Sequence, residues 1–385
     1  MSPDGGSSPT RKLRAIHFGS GGGKGVTRVM TDLGQGHAAG HAFEPLIVYR
    51  RKRGKPLGEV FQRDLAACGV PYREVCPRPK FRTLAELRAI IREFRPDVFV
   101  AHGYSDHIWG RMVAIEEGVP VIVHVEHNHE RYKWIHLRRA RRLAEKTDAI
   151  VTVSQAVGQN LARLKFPPAL IHPIYNGVRL DRFAGRQPTP HAEREPVVIM
   201  TARFGRQKDP DTLIRAAAVL LKRGQPVRVR LVGGGKKFHE WRARWLVKWL
   251  GVGKWVEFLG PRNDVPDLLM RSQVFVLSTH FEGLPHALIE GMAAGCAVVG
   301  TRAPGVEELI DHGRTGWLAA PRDPEALADA IQAALSPAGA GCATAAHEYA
   351  CHSFGLQRMT DDYERLILSL WQAKQKPDGI DQRVK

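Results

Sequence analysis

The 385-residue chain has no run approaching the roughly 18 apolar residues that a membrane-spanning helix requires, so a spanning protein is not expected. Its first residues, M-S-P-D-G-G-S-S-P-T-R-K, lack the apolar stretch of a secretory signal and read as a floppy tail. Cysteine is scarce. Cys68, Cys76, Cys296, Cys342 and Cys351 show neither metal-ligand nor redox spacing, which fits a reducing cytoplasm. Cys296 lies in an apolar run, as a small buried hydrophobe would. Acidic residues are few beside basic ones, 39 against 57, leaving a formal net charge of +18. That excess calls for an explanation. Zinc spacing, an aromatic RNA-binding motif and a compact helix-turn-helix are all missing, so nucleic acid is not the expected partner.

What is present is a soluble globular composition, 43% hydrophobic and 25% charged, long enough for two domains that each bury a core. The positive charge gathers in two clusters. One is Arg50, Arg51, Lys52, Arg53 and Lys55. The other is Arg131, Lys133, Arg138, Arg139, Arg141, Arg142 and Lys146, interleaved with Tyr132, Trp134, Ile135 and Leu137. A basic helix carrying aromatics suits an anionic membrane surface; a merely solvated basic face is the alternative, and both stay open.

Short apolar strands alternate with helix-period segments, the pattern of parallel α/β sheets. Strands are expected at Leu13–Phe18, Pro45–Tyr49, Asp97–Ala101, Val119–Val125 and Asp148–Val153. A helix is expected at Thr83–Phe94, with Thr83 and Glu86 in a capping-box pattern. A Pro-, Gly- and charge-rich stretch after Tyr175 then suggests a domain boundary. The pattern restarts with strands at Val197–Thr201, Val227–Val232, Trp255–Leu259, Val274–Leu277 and Ala297–Val299. A last helical segment, roughly Leu356–Gln375, has no strand of its own. Trp241, Trp245 and Trp249 recur at helical spacing with Phe238 nearby. Core packing is the expected fate, a membrane-facing stripe the alternative.

The segment from Thr279 to Gly300, T-H-F-E-G-L-P-H-A-L-I-E-G-M-A-A-G-C-A-V-V-G, carries the most chemistry. Glu282 and Glu290 bracket a Gly283-Leu284-Pro285 turn, with Pro285 in the first turn of a helix that contains Glu290. A helix start attracts phosphate, and flanking carboxylates accept hydroxyl hydrogen bonds. Together they outline a nucleotide-sugar site. Arg203 and Lys208, in T-A-R-F-G-R-Q-K-D, follow another strand; a guanidinium and an ammonium there can neutralise a diphosphate, with Arg206 between them. Asp209-Pro210-Asp211 reads as helix-start chemistry and not as a metal site.

These residues resemble the family-4 retaining glycosyltransferases of the GT-B fold, through E-x7-E within E-G-x-P…E-G-M-A-x-G, through R-x4-K, and through Y-N-G-V-x-x-D-x-F near Tyr175. The resemblance implies two doubly wound, Rossmann-like parallel-sheet domains facing a cleft. An acceptor-side domain would span 11–177, with 356–375 returning to it, and a nucleotide-sugar domain 178–355. It implies that Glu282 reaches the donor sugar, Glu290 holds the ribose, and Arg203 and Lys208 take the leaving diphosphate. Gly22 and Gly23, in the first glycine turn G-S-G-G-G-K-G-V, would lie nearest the ligand. Gly234 of a triple-glycine turn, Val265 after L-G-P-R-N-D, and Gly283 and Leu284 would face the nucleotide. His127, in V-E-H-N-H, would be the strand-end histidine at the reaction centre, with Glu126, His129 and His102 as neighbours.

The implied activity is metal-independent, cofactor-free transfer of a sugar with retention. The donor would be a nucleoside diphosphate sugar, expected to be UDP-linked. The acceptor is inferred from charge alone: the two basic clusters suggest a saccharide or lipid-linked hydroxyl in cell-envelope polysaccharide or lipopolysaccharide synthesis, in the cytoplasm or against the inner face of its membrane. A sugar-nucleotide epimerase, or an inactive sugar-nucleotide or polyanion-binding scaffold, is the alternative.

Overall fold

The computed structural model describes residues 11–21, 25–51, 65–67, 69–103, 106–130, 132–183 and 189–375. The expected contacts Gly22 and Gly23, the N-terminal tail, and Lys52, Arg53, Lys55, Cys68 and Arg131 lie outside them. The chain divides into two compact units, one of residues 1–177 with 356–385 and one of residues 178–355.

In the first unit seven parallel strands form one sheet in the order β3-β2-β1-β4-β5-β6-β7. They are β1 (Leu13–Gly21), β2 (Phe43–Arg51), β3 (Tyr72–Val75), β4 (Val98–His102), β5 (Val121–Glu126), β6 (Ala149–Thr152) and β7 (Ile171–Pro173). Between them run α1 (Val26–Ala39), α2 (Lys80–Phe94), α3 (Asp106–Glu116), α4 (Trp134–Ala144) and α5 (Gln155–Arg163). β4, β5 and β6 are buried throughout, as near-continuous apolar strands covered on both faces must be. The second unit repeats the plan with six parallel strands in the order β10-β9-β8-β11-β12-β13. These are β8 (Glu195–Thr201), β9 (Arg228–Val232), β10 (Val256–Gly260), β11 (Ser272–Leu277), β12 (Ala297–Thr301) and β13 (Trp317–Ala319). Its helices are α6 (Pro210–Lys222), α7 (Lys237–Trp249), α8 (Val265–Arg271), α9 (His286–Ala293), α10 (Pro324–Leu335) and α11 (Ala338–Ser353). The final helix, α12 (Leu356–Gln375), belongs to the first unit, where it packs on α1 and β5 and buries Met359, Tyr363 and Ile367.

Each sheet reverses its strand order once, between β1 and β4 in the first unit and between β8 and β11 in the second. Crevices outside the carboxyl ends of strands at such reversals are where doubly wound sheets bind ligands.

Several local expectations change. β3, β7 and β13 were not expected as strands; each is short and lies at a sheet edge, where burial imposes no apolar run. The first glycine turn is shorter than its sequence suggests, because β1 continues through Gly19, Ser20 and Gly21, paired with Tyr49, Arg50 and Arg51 of β2. Thr83 and Glu86 do not form a capping box. α2 begins three residues earlier, at Lys80. The Thr83 hydroxyl instead donates to the Cys76 carbonyl (2.6 Å), while the Glu86 carboxylate accepts from the Cys76 amide (2.6 Å). Both side chains tie the helix to the preceding loop.

The largest correction concerns α7. Its core-facing residues are Ala243, Leu246 and Val247, whereas Phe238, Trp241, Trp245 and Trp249 are 63%, 61%, 52% and 62% exposed. Helical spacing shows which residues share a face, but not which face points inward. By contrast Cys296 is wholly buried, and burial pushes its thiol up to about 12, as an inert core thiol requires.

Candidate active site

The second unit gathers its chemistry where β8 and β11 diverge. The connection after β8 carries Arg203, Arg206 and Lys208; the one after β11 carries Thr279 to Pro285. Two bonds to one carbonyl lace them together. The His280 amide donates to the Gln207 carbonyl (2.8 Å), and the Thr279 hydroxyl donates to the same oxygen (3.0 Å). The Ser278 hydroxyl adds a bond to the Asp209 carbonyl (2.8 Å). So fixed, the Lys208 ammonium donates directly to the Glu282 carboxylate, whose side chain is only 8% exposed. Gln207 supports the same loop by donating from its side-chain amide to the Phe281 carbonyl (2.7 Å).

Behind Glu282 the chain folds back so closely that only glycine fits. The Glu282 amide donates to the Pro304 carbonyl (2.9 Å), and Gly305 has φ of +81°. A Cβ there would lie 2.3 Å from the Glu282 carbonyl oxygen. Gly305 was not singled out from the sequence; its only signal was a Pro-Gly pair in a loop. The turn itself, Gly283-Leu284-Pro285, is buried. Among the described residues the Gly283 and Leu284 amides, and that of Ala287 in the first turn of α9, have no hydrogen-bond partner. The first N–H groups of a helix have no intrahelical partner, and a set of free amides at a helix start is an anion seat. Pro285 is the N-cap of α9, one position ahead of the first turn, and caps nothing with its side chain. Glu290 sits five residues into α9, half-buried, 3.5 Å from the guanidinium of Arg182.

Arg203 and Gly234 meet at the next strand ends. The Ala202 amide donates to the Val232 carbonyl (2.9 Å) and the Phe204 amide to the Gly234 carbonyl (3.1 Å), so the segment around Arg203 lies along the triple-glycine turn. Gly233, at φ +126°, allows this approach: a Cβ would fall 2.1 Å from the Ala202 oxygen. Arg203 is exposed and has no ion pair among the described residues, and neither has Arg206. The structure therefore brings Lys208 to Glu282 but draws Arg203 to neither glutamate. Val265 opens α8 after β10, preceded by a forked Arg262–Asp264 pair (2.8 and 2.5 Å).

Asp209 and Asp211 are both engaged. The Asp209 carboxylate accepts from the Thr212 hydroxyl (2.6 Å) and lies 3.5 Å from His280, although it makes no side-chain cap to the helix backbone. Asp211 pairs with Arg242. Two carboxylates turned to such partners do not form a shared cation site.

In the first unit the histidines separate into two networks. His127, half-buried, bonds through Nε2 to Nδ1 of His102 (3.2 Å). His102 in turn meets His17 (3.4 Å), and His17 meets His37 (3.2 Å), so four imidazoles form a chain from the end of β5 into α1. His17, His37 and His102 are completely buried. Burial lowers all three, His17 to about 4, and neighbouring imidazoles lower His37 and His102 further. His17 and His37 escaped the sequence reading because a lone histidine in a strand or helix has no spacing signal.

Glu126 does not join His127, contrary to expectation. Its side chain points into the unit and accepts from the Tyr132 hydroxyl (2.5 Å). Tyr132 also meets His107 Nε2 (3.1 Å), and the buried Arg111 guanidinium donates to His107 Nδ1 (2.9 Å). Since arginine only donates, His107 carries its proton on Nε2 and passes the bond through Tyr132 to Glu126. Burial pushes the Glu126 carboxyl up to about 8 and Arg111 down to about 10. His107, His124 and Glu126 cluster closely enough to hold a metal ion. The guanidinium on His107 makes this a poor cation site, because it occupies one ligand and repels a second positive charge.

Two family models match the chain: Glycosyltransferase Family 4 over residues 23–182, and Glycosyl transferases group 1 over residues 181–340. Among curated relatives, the N-acetyl-alpha-D-glucosaminyl L-malate synthase of Bacillus anthracis is 30% identical over 195 residues, 49% of this chain and 50% of that protein. The UDP-Gal:alpha-D-GlcNAc-diphosphoundecaprenol alpha-1,3-galactosyltransferase of Escherichia coli is 25% identical over 304 residues, 73% of this chain and 77% of that one. The match thus spans half the length of the first of these relatives. The crystal structure of Anabaena Alr3699/HepE in complex with UDP superposes with a TM-score of 0.80 at 21% identity, covering 93% of this chain and 100% of that one. The likeness is one of fold. By its two family matches and its paired Rossmann-like sheets, the chain belongs to the family-4 glycosyltransferases of the GT-B fold.

Proposed function

We propose that the chain transfers a glycosyl unit, with retention and without a metal, from a nucleoside diphosphate sugar to a hydroxyl of a saccharide or lipid-linked acceptor. The observation that carries this reading is the Lys208–Glu282 contact across the β8/β11 reversal, beside a buried turn with unpaired amides. An ammonium already in place cannot only balance a carboxylate; it can also take the charge that grows on a departing diphosphate. The Gly283, Leu284 and Ala287 amides act in the same direction. Such preorganised donors usually supply the largest share of transition-state stabilisation. Glu282, held by Lys208 and by the strand of chain at Gly305, accepts hydroxyl hydrogen bonds from the sugar, and Glu290 accepts those of the ribose. Arg203 and Arg206, exposed and without an acidic partner among the described residues, would close on the phosphates once these are bound. Among the described residues no carboxylate stands out as a nucleophile. A front-face substitution, with the leaving phosphate receiving the acceptor's proton, is the mechanism assigned.

UDP is the favoured nucleotide, since the Escherichia coli relative is named for UDP-Gal and the Anabaena structure holds UDP. The same relative acts on a diphosphoundecaprenol-linked sugar, which supports a lipid-linked acceptor in cell-envelope polysaccharide synthesis at a membrane surface. No helix among the described residues is long and apolar enough to cross a membrane.

The reading is tested by a thermal-shift panel of UDP-, GDP-, ADP- and dTDP-sugars, followed by nucleotide-release assays with and without acceptor. Stabilisation by one donor and acceptor-stimulated release support it. Turnover of the donor into its epimer without nucleotide release would replace it with the epimerase reading. Donor binding with no turnover under any acceptor would replace it with a binding scaffold.

A further inference from the structure

The exposed aromatic face of α7 has no role in the site described. At 100° per residue the buried Ala243, Leu246 and Val247 lie on one face of the helix. Phe238, Trp241, Trp245 and Trp249 occupy an arc of about 80° whose centre lies about 150° away from that face. The four rings stack in pairs, Phe238 on Trp241 (6.2 Å) and Trp245 on Trp249 (6.1 Å, 8° between planes). They form one ridge, with exposed aromatic surface on the order of 500 Å², the scale at which an apolar patch marks an interaction site.

The ridge is flanked by positive charge. Lys237 and Lys248 lie on one side of it, exposed and with no acidic partner among the described residues, while Arg242 on the other side is paired with Asp211. The one acid of the helix, Glu240, is held by Arg244 (2.9 Å). A convex helix with indoles outward and cations beside them fits a planar, deformable, negatively charged surface. A single-stranded nucleic acid requires a groove that tracks its backbone, and here the rings stand on the convex outer face of a helix. We propose that α7 is a monotopic docking element that seats its aromatic ridge in the headgroup region of an anionic lipid bilayer. Indoles settle at that depth because the ring is apolar and the N–H is not, while the lysines reach the lipid phosphates. The inference deepens the proposed reading, since a lipid-linked acceptor lies at such a surface, but it can fail separately.

The test uses the full chain with vesicles of phosphatidylcholine containing about a third phosphatidylglycerol, and with pure phosphatidylcholine vesicles. Wild type should sediment with the anionic vesicles, with a blue shift of tryptophan emission, and binding should weaken as salt rises. Because the residues are exposed, Trp241→Ser/Trp245→Ser/Trp249→Ser should fold normally and lose binding at least tenfold, while donor turnover on a soluble acceptor stays unchanged. A Trp134→Ser variant in the basic helix α4 is the control and should retain binding. The proposal is overturned if wild type ignores anionic vesicles at low salt, or if the triple variant binds like wild type. It is equally overturned if wild type instead prefers oligouridylate, or if the triple substitution dissociates a dimer without changing lipid binding. Vesicle binding by a protein with no donor turnover would leave this proposal standing and remove the enzymatic one.

Discussion

Replacing Lys208 by methionine separates the structural from the chemical role of the Lys208–Glu282 pair. The Glu282 side chain is 8% exposed and Lys208 22%, so removing the ammonium strands a nearly buried carboxylate. Breaking fully buried pairs costs about 3–5 kcal/mol; with Lys208 partly solvated, roughly 2–3 kcal/mol is the expected loss. For a unit of this size, that lowers its melting temperature by about 4–12 °C. The double variant Lys208→Met/Glu282→Gln removes the stranded charge and should recover most of that stability. Turnover should not recover, because the diphosphate has lost its cation. Loss of one preorganised donor typically lowers kcat by about 10²–10³-fold. The assay is a double-mutant cycle read twice, by thermal unfolding and by single-turnover nucleotide release. Two results would refute the reasoning: a double variant no more stable than Lys208→Met, or a single variant within about threefold of wild-type kcat.

Three further outcomes follow from the same structure. Glu290→Ala should weaken UDP binding by roughly 10–100-fold, the worth of a charged hydrogen bond, with melting temperature little changed; unaltered calorimetric affinity would remove its ribose role. Gly305→Ala should lose turnover and at least about 1 kcal/mol of stability, because its Cβ would meet the Glu282 carbonyl. Gly313→Ala, at nearly the same φ but in open space, should keep turnover, and equal activities would deny the close approach any function. The first unit should be acid-labile. His17, His37 and His102 are held below their ordinary value, so the unfolded chain binds more protons as pH falls. Their stability contribution is present above about 6.5 and is lost toward pH 4. For His17 alone the interval from 6.5 to about 4, at about 1.36 kcal/mol per pH unit, gives roughly 3 kcal/mol. Urea unfolding of the first unit with the same midpoint at pH 7 and pH 5 would contradict this.

The alternating strand and helix pattern made the two parallel sheets legible before any coordinates, because central strands need apolar runs that edge strands do not. β3, β7 and β13 were missed for that reason. E-x7-E and R-x4-K could be read because each lies within one short segment. The contact between Lys208 and Glu282 could not, since it joins positions 74 residues apart through the β8/β11 crossover. Glu126 and His127 are adjacent in sequence yet serve different networks: Glu126 ends β5 and meets Tyr132, while His127, just past the strand end, meets His102. The tryptophans of α7 show the same limit in a helix: periodicity grouped them correctly, while Ala243, Leu246 and Val247 claimed the core. Gly305 left only a Pro-Gly pair, and its role depends on a carbonyl distant in sequence.

The most direct test of the central claim, that fixed protein donors and not a metal ion carry the leaving-group charge, is proton NMR of the product formed from a UDP-sugar and acceptor in excess EDTA. The account predicts undiminished transfer and an anomeric coupling matching the donor's configuration. Transfer that stops in EDTA and returns with magnesium, or a product of inverted configuration, would contradict it.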